Sequence, residues 1–172
     1  MKRPLLLCAV ATVALLVAPG LALAQEPIDV TTTLFGREEV PALSNFGRGT
    51  WECELSADLT SLDWTLEYGP LGSAVTQAHI HIGQRGVNGG IMVFFCSNLG
   101  NGPAGTPACP EFGGTLSGTF TAANIIGPAG QGVAAGQFFE FQRALRQGVA
   151  YANVHTVNFP GGEIRGQVRL VE

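Results

Sequence analysis

Thr50-Trp51-Glu52-Cys53-Glu54-Leu55-Ser56-Ala57-Asp58-Leu59 alternates without a break. Trp51, Cys53, Leu55, Ala57 and Leu59 fall on one side, and Thr50, Glu52, Glu54, Ser56 and Asp58 on the other. A period of two with one apolar side is a strand half buried against a core. The next segment repeats the pattern: Leu62, Trp64, Leu66 and Tyr68 alternate with Asp63, Thr65 and Glu67. The two segments predict an antiparallel hairpin over 50–68, and Gly69-Pro70-Leu71-Gly72 closes it.

Working outward, Val30, Thr32 and Leu34 share parity and predict a strand over 28–35. Residues 75–82 form another, followed by a turn over 83–90 with the pair Asn88-Gly89. Residues 91–96 are continuously apolar, which predicts a central strand covered on both faces. Alternation resumes over 115–122, and 127–136 reads as loop. Phe138, Phe141 and Leu145 recur at helical spacing, with Arg143 and Arg146 near the end and Gly148 as a stop. This predicts one short helix over 138–147. Two strands, 149–157 and 163–171, follow, joined by Asn158-Phe159-Pro160-Gly161-Gly162. About eight short strands with turns between them predict an all-β antiparallel sandwich or barrel, with neither an internal repeat nor a linker.

The N-terminus reads as an export signal. Lys2 and Arg3 precede an apolar run over 5–18, Pro19-Gly20 breaks it, and Ala22-Leu23-Ala24 gives a small-x-small cleavage pattern. The run is short for a retained membrane span. The expected organisation is a signal peptide at 1–24 and one domain at 25–172, delivered to the periplasm or the medium. Cleavage leaves 148 residues and removes the one lysine, so 7 Arg face 13 Asp plus Glu, a formal charge of −6. That balance argues against nucleic-acid binding, which rests on neutralising phosphates. No later segment is long and apolar enough to span a bilayer.

Three cysteines remain after cleavage: Cys53, Cys96 and Cys109. Export permits disulfides. A Cys96–Cys109 bridge would pin the Gly-, Pro- and Asn-rich segment between them, and Cys53, on the apolar parity of its strand, would be a buried free thiol. Cys53 pairing with Cys96 is the alternative.

Three segments resemble the CHRD domain, the module repeated in chordin. They are Leu34-Phe35-Gly36-Arg37-Glu38-Glu39-Val40-Pro41; Ala78-His79-Ile80-His81-Ile82-Gly83 with Gly86-Val87-Asn88-Gly89; and Tyr151-Ala152-Asn153-Val154-His155-Thr156 with Pro160-Gly161-Gly162-Glu163-Ile164-Arg165-Gly166-Gln167. The resemblance covers roughly 28–171. It implies a Greek-key β-sandwich, immunoglobulin-like or superoxide-dismutase-like, of extracellular use. It supplies no reaction. Chordin's growth-factor role does not transfer, because one copy is present and chordin's cysteine-rich repeats are not.

All three histidines of the chain lie in these segments. His79 and His81 share one face of a strand, and His155 shares parity with Asn153 and Tyr151 on another. If the strands are neighbours, three imidazoles meet. Such a set suits copper or zinc, with Asn153, Glu163 and Arg165 as supporting residues that fix a histidine tautomer. A dual-metal site of the dismutase kind needs more histidines than the chain has. The other reading is a structural network in which the histidines satisfy buried polar groups, Arg165 pairs with Glu163, and no cofactor is required. Glu38-Glu39 and Glu52/Glu54 read as solvated carboxylates. Hydrolase, zincin, phosphate-loop and dinucleotide motifs are missing. The leading expectation is therefore a secreted, non-enzymatic binding or structural module for an unknown extracellular protein or surface ligand. A mononuclear copper or zinc protein is the first alternative. A cell-surface or matrix adhesion domain using the loops at one end of the sandwich is the second.

Overall fold

The computed structural model describes residues 29–171. The expected signal peptide lies outside the described residues. The chain folds into β1 (Asp29–Phe35), β2 (Arg48–Leu55), β3 (Ser61–Tyr68), β4 (Val75–Ile82), β5 (Ile91–Ser97), β6 (Gly114–Thr121), α1 (Phe138–Arg146), β7 (Ala150–Thr156), β8 (Ile164–Gln167) and β9 (Arg169–Leu170). The strands pair antiparallel in the order β5-β4-β7-β8-β1-β2-β3-β6, with β9 beside β1. The sheet folds on itself into a nearly closed barrel-like sandwich with one short helix, as the alternation predicts.

β2 and β3 form the expected hairpin, with Cys53 opposite Trp64 and Leu55 opposite Leu62. β2 stops at Leu55 rather than running to Leu59. Asp58 accepts hydrogen bonds from the Ser56 and Thr60 hydroxyls and the Thr60 N–H. These short polar side chains offer the backbone a turn in place of a ladder. The inward side chains of the hairpin meet Phe95 of β5. Its ring lies 4.9 Å from Trp64 and 5.8 Å from Trp51, both edge-on. Phe141 of α1 joins the cluster against Phe120, and Gly148, at φ +65°, turns the chain out of the helix.

The structure corrects the placement of β5. It is buried on both faces, as its apolar run requires, yet it stands at the end of the sheet and pairs with β4. Loops do the work expected of a second neighbouring strand: the Ile126 N–H donates to the Met92 carbonyl at 2.9 Å. The last predicted strand is also broken. Val168 turns into the core between β8 and β9, and its N–H bonds the Ala150 carbonyl.

Cys96 and Cys109 form the expected disulfide, and Cys53 is buried and free. The bridge is reinforced by Asn98, whose side chain donates to the Val75 and Cys109 carbonyls and accepts the Cys109 N–H. No helix among the described residues is long and apolar enough to cross a membrane.

Candidate metal centre

β4 and β7 are neighbours, with His79 opposite Asn153 and His81 opposite Tyr151. Alternation sends Ala78, Ile80, Ala152 and Val154 into the core and His79, His81, Tyr151, Asn153 and His155 to the opposite face. That face is covered as well. The loop at 83–90 folds over it, and the three histidines are buried, at 0%, 7% and 6% exposed.

The rings converge. His79 Nδ1 lies 3.2 Å from His155 Nε2. Ring centroids are 5.3 Å apart for His79 and His81, and 6.0 Å for His81 and His155. One ligand nitrogen from each residue falls within 4.8 Å of the others. Two ligands on a tetrahedral ion with bonds of 2.0–2.1 Å stand about 3.3 Å apart. The His79 Nδ1–His155 Nε2 edge, a hydrogen bond that an ion would replace, already has that length, and the widest edge must close by about 1.5 Å.

Backbone carbonyls set the tautomers. His81 Nδ1 is 3.0 Å from the Gly89 carbonyl, and His155 Nδ1 is 3.0 Å from the Pro160 carbonyl. A carbonyl only accepts, so each Nδ1 carries its proton and each Nε2 offers a lone pair. His155 Nε2 then accepts from His79 Nδ1. The remaining nitrogens, Nε2 of His79 and Nε2 of His81, are buried with no hydrogen-bond partner. Burial, with the neighbouring imidazoles adding to it, holds the His79 imidazolium pKa down at about 2. Burial likewise brings His81 to about 4, against the Gly89 carbonyl that works to raise it, and lowers His155. All three rings are neutral at physiological pH, the form in which imidazole binds a metal.

The supporting residues sit near the cluster but act elsewhere. Asn153 donates to Glu39 Oε1 at 2.6 Å and to the Ile164 carbonyl at 2.9 Å. Glu163 accepts from the Gly72 N–H and the Thr156 hydroxyl, not from Arg165. Arg165, 1% exposed, donates to Asn88 Oδ1 and to the Gln84 and Val87 carbonyls, tying down the covering loop. The histidines are therefore oriented by the carbonyls of Gly89 and Pro160, and Asn153, Glu163 and Arg165 fasten the loops that carry them.

Three side chains escaped the sequence reading. Phe94 stands edge-on to His79 with centroids 4.3 Å apart. Tyr151 stacks on His81 at 4.8 Å and accepts the Gly89 N–H. Glu39, read from sequence as a solvated carboxylate, is buried, and desolvation raises its pKa to about 7 against the Asn153 bond that lowers it. Its neighbour Glu38 does reach solvent and pairs with Arg85. Glu52 and Glu54 are exposed, as expected.

The loops at the end of the barrel that holds 36–47, 69–74, 98–113 and 157–163 carry Phe46, Leu99, Phe112 and Val157, all exposed. A family model described as CHRD domain matches residues 30–168. No curated protein and no solved structure matches the chain.

Proposed function

Because the chain belongs to the CHRD domain family, a family of small domains suited to binding or structural roles, we propose that it is an exported, non-enzymatic binding module. Its ligand is a transition-metal ion of the copper–zinc class. His79, His81 and His155 supply the donors. The observation that carries this reading is the convergence of one ring nitrogen from each of three buried imidazoles within 4.8 Å, with Nε2 of His81 buried and unpartnered. A purely structural network satisfies its buried polar atoms; this one leaves a ring nitrogen of His79 and one of His81 without a hydrogen-bond partner. The disulfide fits an oxidising compartment, and the leader-like N-terminus supports export.

The test is metal content of untagged protein, followed by titration of Cu²⁺, Zn²⁺ and, anaerobically, Cu⁺ into wild type and His81→Ala. One saturable site per chain, lost in the variant while its circular dichroism is kept, is the expected outcome. No saturable site at micromolar metal sinks the proposal.

Adhesion is the second reading, favoured by the four exposed apolar side chains at one loop end. It is separated by whole-cell binding. Phe46→Ser would abolish adhesion with the histidines intact, and a metal module would be indifferent to that change.

A further inference from the structure

We infer that the three-histidine centre is built for monovalent copper, Cu⁺, held by three nitrogens without a fourth protein ligand. This rests on the metal-binding reading proposed above and narrows it to one ion.

The first argument is coordination number. The converging group contains three histidines and no thiolate or carboxylate. Structural zinc sites take four protein ligands in a tetrahedron, and catalytic zinc sites keep a fourth position open to water. The centre fits neither pattern. His79 is 0% exposed and both other rings are buried. Aromatic walls flank them, Phe94 edge-on to His79 and Tyr151 parallel to His81. A soft ion of single charge such as Cu⁺ is content with three ligands, whereas the doubly charged Zn²⁺ and Cu²⁺ hold four or more.

Charge is the second. The donors are neutral, so the ion keeps its full charge in a buried site. The cost of burying an ion rises with the square of its charge and falls only when an opposite charge stands close by. The Arg165 guanidinium packs on the Tyr151 ring that stacks on His81, and the one buried carboxyl close by, Glu39, is bonded to Asn153 rather than to a histidine. A second positive charge on the ion meets desolvation and repulsion together. A single charge meets much less of both. Imidazole itself accepts copper in either state, so the site's shape and field decide between them.

The third argument is the fixed donor direction. Gly89 and Pro160 carbonyls hold two of the rings with Nε2 turned inward. Ring orientation of this kind favours an ion that needs few ligands well placed over one that recruits water.

Three measurements on the intact domain decide the matter. Anaerobic competition with bicinchoninate gives the Cu⁺ affinity, competition with pyridylazoresorcinol gives that for Zn²⁺, and copper K-edge absorption gives the ligand number. The expected result is Cu⁺ bound at least 1000-fold more tightly than Zn²⁺, with three nitrogen ligands and no oxygen. Zn²⁺ binding as tightly as Cu⁺, or a four-coordinate copper with an oxygen ligand, overturns this inference and leaves the metal-binding reading standing. Binding of neither ion overturns both. His79→Ala and His155→Ala are each expected to weaken Cu⁺ at least 100-fold. Should either variant unfold, His81→Ala serves, because that ring, 7% exposed, is the least buried of the three. A well-folded variant with unchanged Cu⁺ affinity removes that histidine from the site and overturns the three-nitrogen assignment.

Discussion

The guanidinium carbon of Arg165 sits 3.5 Å from the centroid of the Tyr151 ring, and that ring lies within 2° of parallel to His81. The stack joins the loop clamp to the histidine cluster. Arg165 also holds the Gln84 and Val87 carbonyls, and no solvent reaches it to take its place.

Arg165→Met is therefore expected to destabilise the domain by about 3 kcal/mol, because it leaves buried carbonyls without donors. Arg165→Lys recovers little, since an ammonium cannot reach three acceptors in a fork and lie flat on a ring as well. Urea unfolding checks both; an Arg165→Met midpoint equal to wild type removes the clamp from the account.

Gly89→Ala should be among the most damaging single substitutions. A Cβ there would stand 1.6 Å from the Ile82 carbonyl oxygen, so the loop must move and withdraw the Gly89 carbonyl from His81. We expect a loss of several kcal/mol and, in whatever fraction folds, a His81 ring free to change tautomer. Gly86→Ala is the control, with open space around it and only the cost of φ +77°, about 1–2 kcal/mol. Thermal melts of the pair should separate clearly, and equal losses would contradict the packing described.

Stability should fall as the solution is acidified. The unfolded chain protonates its histidines near 6.5, whereas folded His81 resists to about 4 and His79 to about 2. Their contribution is complete above about pH 6.5 and is lost progressively as pH drops toward those folded values, each group changing stability by up to about 1.4 kcal/mol per pH unit. Glu39 acts in the opposite sense. Its folded pKa of about 7 lies above the unfolded 4.5, so its share is lost as pH rises from 4.5 through 7. Three histidines outweigh one carboxyl, and net stability should decline below pH 6. Metal-free protein unfolded in urea at pH 5 and pH 7 tests the sign.

Glu39→Gln isolates the opposing contribution. Glutamine still offers Asn153 an oxygen and never carries the buried charge. The variant should gain a kcal/mol or two at pH 8 and almost nothing at pH 5. A gain that does not vary with pH would point to packing instead.

Opening the Cys96–Cys109 bridge is expected to cost about 3 kcal/mol, the chain-entropy estimate for a loop of this separation. Melting with and without reductant reads it. Asn98 keeps part of the loop in place, so the barrel itself should stay folded at room temperature.

The hairpin of β2 and β3 was legible because half-buried strands write their environment into every second residue. β5 was not, since burial on both faces is the same signal at the edge as at the centre when loops do the covering. Parity alone put His79, His81 and His155 on one face, and their meeting followed from β4 and β7 being neighbours. What fixes their rings left no trace in side-chain chemistry: the Gly89 and Pro160 carbonyls are backbone groups, although both sit in the glycine-rich turns that mark the family resemblance. Glu39 was misread because its partner Asn153 lies 114 positions away, and no local pattern reports such a contact.

The Ile126 N–H that occupies the Met92 carbonyl has a bearing on how this molecule meets its own kind. A sheet that ends in a strand with free backbone groups is a template on which another copy can add. Here that template is occupied near its start by the chain's own loop, and near its other end Cys96 is tethered to Cys109. The seam of the barrel is thus guarded against the addition of a second copy along this strand.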